Sequence, residues 1–485
     1  MIPTIFGYLI IVAALVLMPT TITRMLGLVL VSSLLGAASA VSLPSLGGAN
    51  ITPASLALLF LVVRILLCPA GQFSIIAKAF QQNVFLAFFC IYGALTAFLL
   101  PRLFFHVVNV PQLRATGGGL FSTAPLEFSS QNITTAIYLI GTFLAFLSAT
   151  IASGVERKNK AILSTIIFIS WAHIGFGILD IFLSKIGLRD GLDFFRNGSY
   201  LQLVQDIGGV QRVAGIFPEA SAYAGYGFSF LIVNTELWMR NERPKLTGTT
   251  ALAMLIMLLL TTSSTAYVSI AFYALILLAR LLFTPMQLPL AKKINLGGIA
   301  FAAGTILLIL EVFMPAMSAL MFDILQQMTF GKLHSVSGVQ RTFWAQKGWE
   351  AFWKSEWIGV GAGSLRSSGL ISAVAGSLGA LGLVALAGSA WRVLEPLRLQ
   401  THTVSLAGDA RVRISFAWAA VIGLVPALLS APSPDPGLLF GIFSGIAASN
   451  FLDSSKAKQR HLQVNEQPFP LTSIRLDDLS MTRTA

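Results

Sequence analysis

Long apolar runs separated by short polar clusters occupy the chain from its first residues to about residue 452. A run of about 18 or more apolar residues is long enough to cross a hydrocarbon core as a helix. Marking such runs predicts helices near 2–18, 25–43, 54–70, 83–101, 132–153, 161–184, 214–238, 247–263, 266–283, 295–314, 368–391, 414–431 and 437–452. The stretch 247–283 is divided at Thr261-Thr262-Ser263-Ser264-Thr265, because undivided it would greatly exceed one span. The pattern therefore predicts an all-α, polytopic transmembrane helix bundle of about 13 spans (12–14) with two large periplasmic loops. Continuous runs exclude a β-barrel, whose strands alternate over roughly 10 residues. Met1 to Met18 lacks a basic leader and a clear cleavage site, so a retained first helix is expected.

Composition agrees: 55% of residues are hydrophobic and 11% charged, against roughly 25% charged in soluble domains. The 35 Phe and 42 Gly supply lipid-facing area and close helix contacts. The net charge of +12 belongs to topology rather than to nucleic acid. Basic clusters at 156–160, 240–245, 292–293, 392–413 and 456–460, joined by Arg24 and Lys78, all fall on one side of a thirteen-span chain. That side is read as cytoplasmic. It leaves 1–452 as the bundle, 453–485 as a cytoplasmic tail, and 44–53, 102–131, 185–213 and 315–367 as outer loops. Cys68 and Cys90 lie in apolar runs without metal-ligand spacing, so no disulfide, metal or other cofactor is expected.

Two outer loops depart from the charge rule. Lys185, Arg189, Arg196 and Arg212 stand in one, and Lys332, Arg341, Lys347, Lys354 and Arg366 in the other. Long loops cross a membrane regardless of charge. Cations kept outside also suit an anionic substrate, and both readings stand at this point.

In Gln211-Arg212-Val213-Ala214-Gly215-Ile216-Phe217-Pro218-Glu219-Ala220-Ser221-Ala222-Tyr223, Pro218 and Glu219 are expected in the first turn of a helix. Arg212 just before it either forms an anion site with the helix start or pairs with Glu219 as a cap. Between Gly331 and Arg366, Trp349, Trp353 and Trp357 recur every four residues and predict a short interfacial helix; sugar stacking is the alternative use. Gly359-Val360-Gly361-Ala362-Gly363 follows without a preceding strand, so it is no dinucleotide loop; it suits close approach to a ligand or a helix. Arg64 and Asp180 are ionisable positions inside spans, and Arg64 either faces the bundle or snorkels to the cytoplasmic interface. His173 reads as a helix-to-helix hydrogen-bonding residue, whereas His106 and His334 are the outer-loop histidines.

The segment Arg212-x-x-Gly215-x-Phe217-x-Glu219-x-Ser221, the Ser/Thr-rich break with Ala266-Tyr267-Val268, Arg341 in a long outer loop, and Gly359 to Gly363 with Arg366-Ser367-Ser368 resemble the signature of Wzy-type polysaccharide polymerases. These belong with the O-antigen ligases in one superfamily, and the resemblance spans about 210–390. It implies a metal-independent glycosyltransferase of the bacterial inner membrane that joins undecaprenyl-pyrophosphate-linked repeat units into exopolysaccharide or O-antigen. Implied partners are the lipid-linked donor and acceptor, membrane lipid, a chain-length co-polymerase and a flippase. Arg212, Arg341 and Arg366 are then candidates for the pyrophosphate, since guanidinium forks match phosphate oxygens. Glu219 and His334 are candidate bases. Arg64, Tyr223 and Lys347 are further candidate substrate contacts. Ligases of the superfamily carry a His-Asn pair where this chain has Arg366-Ser367-Ser368, which favours polymerase over ligase. A lipid-linked oligosaccharide flippase remains the alternative of another class; internal repeats and helices broken near the midplane would mark one.

Overall fold

The computed structural model describes residues 2–44, 49–67, 72–112, 121–155, 160–197, 206–207, 210–283, 291–298, 335–398 and 408–449, with single residues 305 and 326. The expected tail 453–485 and most of the expected span 295–314 lie outside them. Helices α1 (Ile5–Leu17), α2 (Ile22–Ser32) and α3 (Pro53–Leu66) open the chain. Each follows an extended threonine whose hydroxyl accepts a first-turn amide: Thr4 from Gly7, Thr21 from Arg24 and Thr52 from Ser55. Such caps satisfy N–H groups that the helix leaves open. Strands β1 (Ile2–Pro3), β2 (Val41–Leu43) and β3 (Ala49–Ile51) form an antiparallel sheet where α1 starts and α3 starts. The sheet marks one end of the bundle and the α1–α2 turn marks the other.

Next come α4 (Gln72–Gln82), α5 (Val84–Leu103), α6 (Ser130–Val155), α7 (Lys160–Lys185), α8 (Ala220–Met239), α9 (Pro244–Leu260) and α10 (Ser264–Phe283). The chain continues through α11 (Val336–Lys354), α12 (Leu370–Val393), α13 (Gly408–Ile422), α14 (Val425–Ser430) and α15 (Leu438–Ala447). Hairpins β4–β5 (Asn109–Val110 with Ala124–Pro125) and β6–β7 (Asp206–Ile207 with Val210–Gln211) sit in the loops. The chain is an all-α bundle in which six described helices are long and apolar enough to cross a membrane: Val84–Leu103, Ser130–Gly154, Lys160–Lys185, Ser264–Phe283, Leu370–Leu397 and Asp409–Ser430. Five more apolar helices are shorter, among them α1, α3 and α15.

Helix α8 runs through the centre of the bundle, with Phe228, Phe230, Ile232 and Val233 inaccessible to solvent. Small residues set the tightest contacts. On α15, a Cβ added at Gly441 or Gly445 would lie 2.4 Å from the carbonyl oxygen of Thr142 or Phe146 on α6. Between equally apolar surfaces, such close backbone packing supplies the association energy that the hydrophobic effect does not.

The segment carrying the three tryptophans differs from the expected short interfacial helix. It is the 19-residue α11, and Gly348 packs directly on Gly376 and Ser372 of α12. After α11 the chain reaches Trp357, whose carbonyl accepts the amide of Ala380 at 2.8 Å. Ala380 lies ten residues along α12, about 15 Å from its start at a rise of 1.5 Å per residue. The segment thus descends beside α12 and climbs back, leaving Trp353 and Trp357 61% and 57% exposed on the outside of the bundle. Helix α12 opens to receive it: Gly379 has φ 67°, and Gly376 and Ser377 offer carbonyls to the amides of Val360 and Gly361 at 2.9 and 2.8 Å. This glycine-rich run is therefore a packing device between helices. At Gly363, φ 85°, a Cβ would meet the Gln131 carbonyl at 2.4 Å.

At the end of the bundle away from the β1–β3 sheet, α8 carries a charge cluster that the hydropathy pattern concealed. Glu236 is fully buried and accepts from Arg280 at 2.5 Å, from Tyr273 Oη at 3.0 Å and from Arg240. Two cations and a phenol thus cover one buried carboxylate, as an uncompensated charge there would be very costly. The i,i+4 spacing of Glu236 and Arg240 was the available signal.

Gly445→Val is expected to force α15 off α6 and to cost about 2 kcal/mol or more. Thermal unfolding of the detergent-solubilised protein checks this, and an unchanged midpoint would show that the contact is not tight.

Candidate functional site

The end of the bundle marked by the β1–β3 sheet also gathers the charged loops. Ser39, just before β2, donates its amide to Asn197 Oδ1 at 2.7 Å, and Phe6 of α1 packs on Phe194 and Phe195. The short 3-10 helix Arg189–Phe195 is thereby fixed beside the first three helices.

Three separate segments bring arginines together here. Arg212 ends the β6–β7 hairpin region and is 8% exposed. Its Nε donates to the Thr262 carbonyl at 3.2 Å. Thr262 makes the turn between α9 and α10 with φ 48°, a conformation β-branched residues avoid, so the Ser/Thr-rich break stores local strain at this contact. Arg341 stands on α11, and Arg366 follows the glycine-rich run. The Arg366 guanidinium lies 4.0 Å above the Trp344 ring, and its backbone amide donates to Pro111 at 2.7 Å. The Arg366 Nε is buried without a hydrogen-bond partner. Ser367 anchors the same turn through its amide to Pro432 at 3.1 Å and its hydroxyl to Ser372 at 2.9 Å. Asn132, fully buried on α6, holds the run from the other side by donating to the Ala362 carbonyl at 2.9 Å and to Ser364 Oγ at 2.8 Å.

Glu219 faces this group of cations. Helix α8 begins at Ala220, later than the expected run from 214, so Pro218 and Glu219 precede its first turn and Glu219 is an extended N-cap residue with φ −153°. The reason lies upstream: Gly215 has φ 55°, and the amides of Ala214 and Gly215 are drawn to the Asp180 carboxylate, so no helical turn closes earlier. The Glu219 carboxylate makes no cap bond to α8 and instead accepts the Ser221 hydroxyl.

Electrostatics tie these residues into one site. Burial lowers the Arg212 pKa from its ordinary value; Glu219 and Tyr267 act against that shift, while Arg341 adds to it. Arg366 is lowered in the same way by burial, opposed by Glu219 and reinforced by Arg341. Arg212 and Arg366 therefore share one carboxylate and one repelling cation. Holding charged guanidiniums in such surroundings is costly, and an anion bound among them would relieve the cost. The arrangement can hold a di-anionic or more highly charged group, and it places a carboxylate at the edge of that group.

Other candidates fall elsewhere. Tyr223 is fully buried, with its hydroxyl on the His173 carbonyl at 3.0 Å and its ring stacked on the His173 ring at 3.8 Å; it supports Gly215 from below and presents no surface to a substrate. Arg64 donates to the Thr20 carbonyl at 3.2 Å in the α1–α2 turn, at the opposite end of the bundle from Arg212, as in the snorkelling alternative. Lys347 is paired with Glu350 at 2.6 Å beside the Phe343 ring, and hydrogen bonds from Lys347 and Lys354 hold the Glu350 carboxyl below its usual range. His106 pairs with Glu127 at 2.9 Å on an exposed hairpin. His334 lies outside the described residues. Sequence reasoning passed over Thr262 and Trp344 as contacts of the arginines, because neither a carbonyl contact nor a stacked ring leaves a trace in composition.

Replacing Glu219 by Gln is expected to tighten inorganic pyrophosphate binding several-fold, since it removes the charge that repels the anion, worth about 1 kcal/mol at a partly exposed position. Titration calorimetry on the purified protein reads this; weaker binding would mean that Glu219 mainly orients the arginines. No protein-family model, no curated protein and no solved structure matches the chain.

Proposed function

We propose that the protein is a membrane glycosyltransferase of the polysaccharide-polymerase type, acting at the periplasmic face of the bacterial inner membrane on undecaprenyl-pyrophosphate-linked repeat units. The observation that carries this reading is that Arg212 and Arg366, from separate chain segments, both feel the Glu219 carboxylate and the Arg341 guanidinium. Glycosyl transfer from a pyrophosphate lipid has the chemical needs that this arrangement meets. An acceptor hydroxyl attacks the anomeric carbon of the donor glycan, and the bond from that carbon to the pyrophosphate oxygen breaks. Negative charge grows on the leaving pyrophosphate, where pre-positioned cations lower the barrier most. Arg366 suits this role through its unpartnered Nε and a guanidinium plane fixed over Trp344. Glu219, whose carboxylate accepts the Ser221 hydroxyl, is the base we assign to the acceptor proton.

Arg212→Ala, Arg341→Ala and Arg366→Ala are each expected to reduce polymer formation by about 100-fold or more, as for loss of a main transition-state donor. Arg→Lys at the same positions should restore little, because lysine offers a point charge in place of a planar fork. Glycan length in a deletion strain complemented with each variant measures this, with membrane insertion checked by blotting. Single repeat units accumulating in the deletion strain agree with a polymerase. Intact lipid-linked polymer that fails to reach its final acceptor would mark a ligase, and full-length glycan from the arginine variants would refute the site.

A further inference from the structure

Residues 212–215 lie outside any strand or helix, and side chains take up four of their main-chain polar groups. Asp180, 1% exposed on α7, accepts the amides of Ala214 at 2.7 Å and Gly215 at 2.9 Å through Oδ2. Its Oδ1 accepts Arg189 Nε at 2.8 Å. Arg189 Nη2 reaches both Asp180 Oδ2 at 3.3 Å and the Arg212 carbonyl at 3.0 Å. Arg196 donates to the Gly215 carbonyl, and the Tyr223 ring closes the space beneath Gly215, 2.9 Å from where a Cβ would stand. A buried ion pair of this kind seldom stabilises a fold better than apolar packing would, so its contribution here lies in fixing a particular geometry.

We propose that Asp180 is the positioning residue of the anion site. Its carboxylate, with Arg189, pins the main chain on the C-terminal side of Arg212 and so directs the guanidinium that Thr262 holds from the other side. Asp180 touches no substrate and acts through Arg212. The proposal rests on reading the arginine cluster as an anion site. Loosening the Asp180 clamp should release the Arg212 guanidinium from its place while leaving Arg341 and Arg366 on their own segments.

The test is titration calorimetry of inorganic pyrophosphate into the purified full-length protein in lipid nanodiscs. Wild type is compared with Asp180→Asn, Arg212→Ala and the double variant. Asp180→Asn and Arg212→Ala should each weaken binding by about tenfold. The double variant should bind no more weakly than Arg212→Ala alone, because a residue acting through Arg212 has nothing left to position once Arg212 is gone. General loosening of the fold would instead give multiplied losses, and that result overturns the proposal, as does wild-type affinity in Asp180→Asn. Should Asp180→Asn fail to elute as a folded protein, Arg189→Gln replaces it in the same cycle. That variant removes the bond to the Arg212 carbonyl, and wild-type affinity in it, or multiplied losses with Arg212→Ala, overturns the proposal equally. Absence of pyrophosphate binding by the wild type refutes the anion site itself, a result separate from intact binding that Asp180 does not influence.

Discussion

A peptide group inside the thickness of a membrane must find its hydrogen bonds within the protein, and the candidate site depends on how this chain meets that demand. Irregular backbone at such depth is tolerated only where protein surrounds it. The run from Trp357 to Gly363 is one such stretch, and α12 unwinds at Gly379 to supply its partners. Asn132 closes the remaining side. In the loop that carries Arg212, Asp180 takes up main-chain amides in place of an opened helix. In both cases a buried polar side chain or a broken helix replaces regular structure, and an arginine is delivered to the same end of the bundle.

Clustering three arginines beside one carboxylate works against the stability of the free protein. Burial disfavours the charged guanidiniums of Arg212 and Arg366, and Arg341 adds repulsion to both. The protein tolerates this because each arginine is supported locally: Arg212 by the Thr262 carbonyl, Arg366 by the Trp344 ring. Such supports fix direction without neutralising charge. An ion pair such as Lys347–Glu350, by contrast, neutralises its cation.

Much of the architecture was legible in the hydropathy pattern, because a helix in lipid must be apolar over most of its length. Most described helices follow the expected runs, with the Ser/Thr break between α9 and α10 as expected; the run 25–43, however, is helical only to Leu35 and ends in β2, the run 414–431 is broken into α13 and α14, and α4 was not expected. The four residues Arg212, Glu219, Arg341 and Arg366 were singled out as a group by the resemblance alone, since charge offered nine cations in the two loops without choosing among them. What stayed hidden is what depends on packing. The glycine-rich run suited close approach to a ligand or to a helix, and only the contacts of Gly359 to Gly363 with α5, α6 and α12 select the helix. Tyr223 sits in the motif by sequence and in the core by structure, because one residue of helix phase separates a surface from an interior position. Asp180 was visible as an intramembrane charge, but its partners lie 34 and 35 positions away.

The central claim is that the arginine cluster promotes transfer of glycan from a pyrophosphate lipid. Its most direct measurement is product analysis after incubating the purified protein, reconstituted in liposomes, with synthetic undecaprenyl-pyrophosphate-linked repeat units. A ladder of lengthened glycans is expected, with one undecaprenyl pyrophosphate released for each bond formed, and it should vanish when Arg212, Arg341 and Arg366 are replaced together. Unaltered repeat units with the wild-type protein, or an equal ladder from the triple variant, would contradict the account.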